Sequence, residues 1–322
     1  MISIARRLRP FVHRPGVWCM IPDSCWKARI FPTRIELARL DGQEELAVFE
    51  LDVKGPVRGF TVELDLERHC IRVFGTGQKG YFQYWIVQED GVIALRGDKP
   101  LKKPDPIERL SMGVHKAQGW DDVVKRADPK EWFPFVFQLG QRVESGEGTF
   151  ELLKGCEAAA AAKDKLAVQE ISQQWWQTAF SGMLVPRAWD DDFQGILTQQ
   201  QTKEAPLPHL ACGSRWIRSL FFRESDESWE ILPCLLPSFP AGRMTDIKTR
   251  QGDRVALEWS KHQLQKMWIR GSRVGTRCLI LPKGIKSCRV RHSMRDRGKV
   301  MPVVNEALTI DAAEIFLDRF CF

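Results

Sequence analysis

Phe60-Thr-Val-Glu-Leu-Asp-Leu66 alternates apolar and polar residues with period two, which places Phe60, Val62, Leu64 and Leu66 on one face of a half-buried strand. Cys70-Ile-Arg-Val-Phe74 follows after a short break, and Tyr81-Phe-Gln-Tyr-Trp-Ile-Val87 is aromatic and β-branched, as strands prefer. Gly75, Gly77, Gly80, Gly91 and Gly97 punctuate these runs at turn positions. The pattern over residues 17–100 predicts an antiparallel sheet or sandwich. On the 81–87 strand, Tyr81, Gln83 and Trp85 share one face and Phe82, Tyr84 and Ile86 the other. Either face is a candidate aromatic platform.

Outward from this region the period changes. Pro104 and Pro106 mark a boundary. Trp120–Arg126 reads as a short helix. Asp128-Pro-Lys-Glu131 reads as a helix start, with Asp128 as N-cap and Pro129 in the first turn. The longest helix is expected near 150–180, through the run Ala158 to Ala162 and the stripe Leu166, Ile171 and Trp175, ending by Gly182 and Pro186. Another is expected over 213–222. From Trp229 the pattern returns to short strands at 254–259, 263–270, 277–281, 285–292 and 313–320. The fold class is therefore α+β multidomain: an N-terminal antiparallel β-sandwich over 1–104, a short central helical region over 105–228, and a C-terminal β-sandwich over 229–322.

Composition agrees with a folded chain. Its 322 residues suit about two average domains, and 43% hydrophobic with 28% charged residues excludes wholesale disorder. Nine Cys at irregular spacing, without a CxxC pair, argue against a zinc ribbon or a disulfide framework and suit a reducing compartment. No second His stands at ligand spacing from His115, so no metal site is expected. No nucleotide-binding loop or nucleophile elbow is present, and no cofactor is expected. No apolar run is long enough for a membrane span or a signal peptide, and a cytoplasmic location is expected.

Ile231-Leu-Pro-Cys-Leu-Leu-Pro-Ser-Phe-Pro-Ala-Gly242, followed by Ile247–Gly252, Val255-Ala-Leu-Glu-Trp259 and Leu264–Ile269, is a distinctive string. It resembles the segment joining the helical barrel to the C-terminal β-sandwich in (α/α)6-barrel glycoside hydrolases of the α-L-fucosidase and sugar-phosphorylase type. The ending Ile315-Phe-Leu-Asp-Arg-Phe320 is similar to the closing strand of such modules. The likeness covers 229–270 and, more loosely, 271–322. A full barrel has twelve helices, and residues 105–228 have room for four or five, so the resemblance implies a reduced member.

The resemblance implies a carbohydrate partner and, if catalysis survives, an inverting hydrolase with two carboxyls about 6.5–9.5 Å apart. Trp189-Asp-Asp-Asp-Phe-Gln-Gly195 is the nearest counterpart of the family's acidic loop, without its Asp-Gly-Asn core. Asp191 and Asp192 are the candidate acids there. Glu170 is the candidate partner, with Glu131 a second choice. Trp175, Trp176 and Trp189 are candidate sugar platforms. His115 and Trp120, in Gly113-Val-His-Lys-Ala-Gln-Gly-Trp120, are candidate pocket residues.

The formal charge of +7 is unevenly spread. Residues 266–299 carry eleven Lys/Arg against Asp296 alone, residues 1–39 carry eight against two acids, and residues 40–265 are net acidic. Arg289 and Arg291 share a strand face and, with Arg295, are candidate anion-binding residues. A non-catalytic protein that holds nucleic acid, an acidic glycan or another protein on this basic C-terminal module is the alternative expectation.

Overall fold

The computed structural model describes residues 2–40, 46–97, 107–141, 143, 151–186, 207–273, 275–293, 295–311 and 314–322. It is mixed α+β, with strands at both ends and a short helical middle.

The N-terminal strands are β1 (Phe11–Val12), β2 (Val17–Met20), β3 (Trp26–Ile30), β4 (Arg34–Arg39), β5 (Leu46–Glu50), β6 (Arg58–Asp65), β7 (Cys70–Gly77), β8 (Gly80–Glu89) and β9 (Val92–Arg96). They form two antiparallel sheets, ordered β1-β6-β7-β8-β9 and β2-β3-β4-β5. Phe60, Val62, Leu64 and Leu66 are all buried, as their alternation predicts. From the other sheet Ala28, Ile30, Ile35 and Leu37 join the same core.

The middle opens with β10 (Arg109–Ser111), then α1 (Trp120–Arg126), α2 (Pro129–Gly140), α3 (Glu151–Ala161) and α4 (Lys165–Ala179). The short pair β11 (Phe180–Ser181) and β12 (Val185–Pro186) precedes α5 (Leu207–Phe221). Asp128 caps α2 by accepting from the Lys130 amide at 3.0 Å, with Pro129 in the first turn. The single long helix expected over 150–180 is instead two. Lys163 takes a left-handed φ of 58°, and Asp164 caps α4 by accepting from the Ala167 amide at 3.1 Å. The local cap offers backbone donors a partner that outweighs the alanine run's helical preference.

Helices α2 and α5 touch at Gly140. A Cβ there would sit 2.3 Å from the Leu210 carbonyl oxygen and 2.7 Å from Ser214 Cβ. Ser214 Oγ donates to the Phe137 carbonyl at 2.7 Å across the same contact. Gly140→Ala is expected to lower stability by about 1–3 kcal/mol through overpacking, seen as a lower urea midpoint at unchanged slope.

The C-terminal strands are β13 (Phe222–Glu224), β14 (Ser228–Ile231), β15 (Ala241–Lys248), β16 (Arg254–Ser260), β17 (Gln263–Arg270), β18 (Thr276–Ile280), β19 (Ser287–Arg291), β20 (Lys299–Pro302), β21 (Ala307–Asp311) and β22 (Glu314–Cys321). A larger sheet runs β10-β15-β16-β17-β22-β19-β20, and a smaller one β13-β14-β18-β21. Their inner faces meet over Leu257, Met267, Ile269, Leu279, Ile310 and Leu317. The Leu-Pro string connects β14 to β15. Ile231, Cys234, Leu236 and Phe239 are buried, and the Trp259 indole donates to the Phe239 carbonyl at 3.2 Å. Strand β10 precedes all the helices among the described residues yet pairs with β15, so the chain enters the C-terminal sheet before leaving it for the helices.

Candidate functional site

The outer face of the larger C-terminal sheet follows from its register. Along β16 and β17, Val255, Leu257, Met267 and Ile269 point into the core, so Arg254, Ala256, Trp268 and Arg270 point outward. Arg254 stands directly opposite Arg270, and Ala256 opposite Trp268. On the next strand Phe316 pairs with Trp268 and Glu314 with Arg270. The Glu314 carboxylate accepts from the Trp268 indole at 3.0 Å, and the Phe316 ring lies 6.4 Å from the Trp268 ring.

The face is shaped into a groove at its edges. Ala256 is buried and forms part of the covered floor beside the half-buried Trp268 indole. Strand β15 shifts register between Met244 and Ile247, and Asp246 sits there at a φ of 59°. Such bulges re-aim side chains, and Asp246 reaches Arg254 at 3.4 Å. The N-terminal segment forms the opposite wall. Arg109 donates to the carbonyls of Ile4 at 2.9 Å and Arg6 at 2.8 Å, and Arg243 to that of Ser3 at 3.0 Å. The resulting open groove measures about 370 Å³ and is lined by Ile2, Ile4, Asp246, Arg254, Trp268 and Arg270, among others.

Opposed like charges on neighbouring strands disfavour each other. Arg254 has Asp246 beside it, whereas Arg270 has no ion-pair partner within 4 Å among the described residues. The groove therefore offers the Arg254 and Arg270 guanidinium groups, an aromatic ring and the Asp246 carboxylate, with the Glu314 carboxylate beside it on the Trp268 indole. That set matches a ring-shaped polar ligand bearing negative charge: the ring face rests on the indole, the charge on the guanidinium forks.

The expected site residues fall elsewhere. Asp191, Asp192 and Trp189 lie outside the described residues. Glu170 is exposed on α4. Glu131 is buried, its carboxylate 2.7 Å from Arg126 Nε. His115 is exposed in the loop before α1. Trp120, Trp175 and Trp176 are buried in a cluster of rings. Trp176 stacks on Trp132 at 4.8 Å, Trp120 meets Trp176 edge-on at 5.6 Å, and Trp175 meets Trp216 at 5.8 Å. These ring faces are filled by neighbouring rings, so packing replaces the open platform expected of them. The same cluster holds His209, fully buried, which accepts from the Trp175 indole at 2.6 Å. Burial pushes the imidazole pKa down to about 3.

The anion-binding arginines are also engaged. Arg289 forks onto Asp318 at 2.6 and 2.8 Å, and Arg291 reaches the same carboxylate at 2.6 Å. Hydrogen bonding from Arg289, with Arg291 beside it, outweighs partial burial and holds the Asp318 carboxyl below its ordinary range. Of these three, Arg295 alone is exposed and has no ion-pair partner among the described residues. Sequence reasoning missed the groove residues because counting back from the Lys261-His262 turn pairs Arg254 with Ile269 and Ala256 with Met267; the register shift between Glu258 and Trp259 is what sets Arg254 opposite Arg270 and Ala256 opposite Trp268.

No protein-family model matches the chain, and no curated protein matches it.

Proposed function

We propose that the protein binds an acidic carbohydrate, a chain of sugars bearing carboxylate or sulfate groups, along the outer groove of its C-terminal sheet. The observation that carries this reading is the Arg254–Arg270 pair beside the open face of Trp268. A bound anion relieves the repulsion between the two guanidinium groups, and the sugar ring covers the indole. Asp246 and Glu314 accept from sugar hydroxyls. The resemblance of 229–270 to sugar-active enzymes supports the same class of ligand. Hydrolysis, the further step that resemblance implies, rests on Asp191 and Asp192 and is a separate question from binding.

A glycan array carrying neutral, uronate-containing and sulfated oligosaccharides tests the reading. The wild type is expected to select the charged sugars. Trp268→Ala, Arg254→Ala and Arg270→Ala are each expected to weaken binding by roughly tenfold, the scale of one aromatic or charge-assisted contact. Wild-type protein that binds no glycan, or variants that bind as the wild type does, would sink the proposal. Aryl glycoside turnover by wild type against Asp191→Asn and Asp192→Asn reads the catalytic step independently.

A further inference from the structure

The N-terminal sheet β2-β3-β4-β5 has its own outward face, which shares no residue with the groove. Ala28, Ile30, Ile35 and Leu37 are buried on its inner side. Their neighbours Lys27, Arg29, Arg34 and Glu36 therefore face outward, together with Trp18, the cross-strand partner of Arg29. Arg29 and Arg34 are exposed. The cations lie on rings. Lys27 Nζ is 4.8 Å from the Trp18 ring centre, and the Arg29 guanidinium is 5.9 Å from it. Arg29 is also 5.3 Å from the Phe31 ring, and Arg34 covers Phe31 at 4.7 Å. At the end of the sheet, on its other side, Arg39 covers Trp26 at 5.2 Å.

Among the described residues two acids share this face. Glu36 is shared by Arg34 at 3.0 Å and Arg29 at 3.7 Å, and the exposed Glu50 stands opposite Arg34 on β5 without forming an ion pair with it. The Glu36 carboxylate between two guanidinium groups orients both and neutralises only one. The surrounding sequence is strongly basic, with eight Lys/Arg against two acids in residues 1–39. The solvation cost is also visible on the face: partial burial lowers the Lys27 ammonium below its ordinary range, which an incoming anion would reverse.

We propose that this face binds single-stranded nucleic acid, with bases stacked on Trp18 and on the ring-supported guanidinium planes of Arg29 and Arg34, and phosphates neutralised by Lys27 and by the edges of the same two guanidinium groups. Two requirements meet here. Single strands are held by a cationic surface that tracks phosphates and by flat groups on which unpaired bases stack. Guanidinium planes serve as such flat groups. A duplex hides its base faces and gains only the charge term. An acidic protein also gains only the charge term, and a sulfated glycan adds at most a sugar face on Trp18, because neither presents planar rings in series to stack on the guanidinium groups. The surface is thus suited to a ligand that is both anionic and planar.

The test is fluorescence anisotropy of the full chain with a labelled single strand of about fifteen nucleotides, within the site sizes such surfaces cover. A duplex of the same length, heparin and polyglutamate serve as comparison ligands. The single strand is expected to bind more tightly than all three. Arg29→Gln and Arg34→Gln are each expected to weaken it roughly five- to tenfold. Each is also expected to reduce the logarithmic salt slope by about 0.7, the loss of one phosphate contact. Trp18→Ala is expected to weaken binding with the salt slope unchanged, as a lost stacking contact should. Both arginines are exposed, so their variants retain the fold and the glycan binding of the C-terminal groove, which separates this surface from that one. Absent binding, equal binding of duplex or heparin, or arginine variants with wild-type affinity and slope would overturn the proposal.

Discussion

Asp253→Ala is expected to destabilise the protein by about 3–5 kcal/mol, the usual cost of stranding one partner of a buried ion pair. Asp253 is fully buried and Arg277 nearly so. The Arg277 fork donates to both carboxylate oxygens at 3.0 Å. The Ser272 amide and hydroxyl donate to the same group at 2.5 and 3.0 Å. The rest of the guanidinium is spent on the Gly275 and Arg273 carbonyls. Asp253 immediately precedes β16 of the larger sheet and Arg277 lies in β18 of the smaller one, so the pair ties the two layers together. Burial pushes the Asp253 carboxyl up, but the hydrogen bonds from Arg277 and Ser272 prevail and hold it below its ordinary value. Its contribution is accordingly complete above about pH 4 and is lost as acid protonates it below that. Because Arg254 follows Asp253 in sequence, the variant should also loosen the groove. Urea unfolding of Asp253→Ala and of Asp253→Asn measures the effect. A change below about 1 kcal/mol would show that the pair is not the clamp its geometry implies.

His209 should dominate a different pH window. Burial holds its pKa near 3 in the folded protein, against about 6.5 when the chain is unfolded. Between these values the unfolded chain binds a proton that the folded protein does not. Stability must therefore fall as pH drops below about 6.5, by about 1.4 kcal/mol for each pH unit, until the folded pKa is reached. From about pH 6.5 to about pH 4 the loss amounts to roughly 3 kcal/mol. The structural reason is the ring cluster around Trp175: a neutral imidazole accepts the indole hydrogen at 2.6 Å, and a protonated one cannot accept at that nitrogen. Urea unfolding across this range, for wild type and His209→Gln, separates this window from the Asp253 one. Wild-type stability that stays level from neutral pH to about pH 5 would refute the assignment.

What the sequence discloses depends on how local the determinant is. The strand at 60–66 was legible because one buried face imposes period two on consecutive residues. The start of α2 was legible because Asp128 and Pro129 act within one turn. The break between α3 and α4 was not, since the alanine run favours helix and the competing cap is a single side chain, Asp164. The tryptophans misled for a related reason. Trp175 and Trp176 are adjacent on α4, which suggests that one of them faces solvent, yet rings from α1, α2 and α5 cover both. The groove depends on still longer reach. Arg254 and Arg270 are a hairpin pair, but Glu314 and Phe316 arrive from the last strand, and the wall comes from Ile2 to Ile4. Arg289 and Arg291 read as candidate anion-binding residues until the register set Asp318 opposite Arg289 and within reach of Arg291.

In the proposed function, Arg254, Arg270 and Trp268 together select a negatively charged sugar. Calorimetric titration with a uronate-containing oligosaccharide, and with the same oligosaccharide after its carboxyl groups are reduced to alcohols, tests it most directly. The charged form is expected to bind with an affinity that weakens with added salt, to lose roughly tenfold or more on carboxyl reduction, and to lose a similar factor with Arg270→Ala. Equal affinity for both forms, or no heat of binding with either, would contradict it.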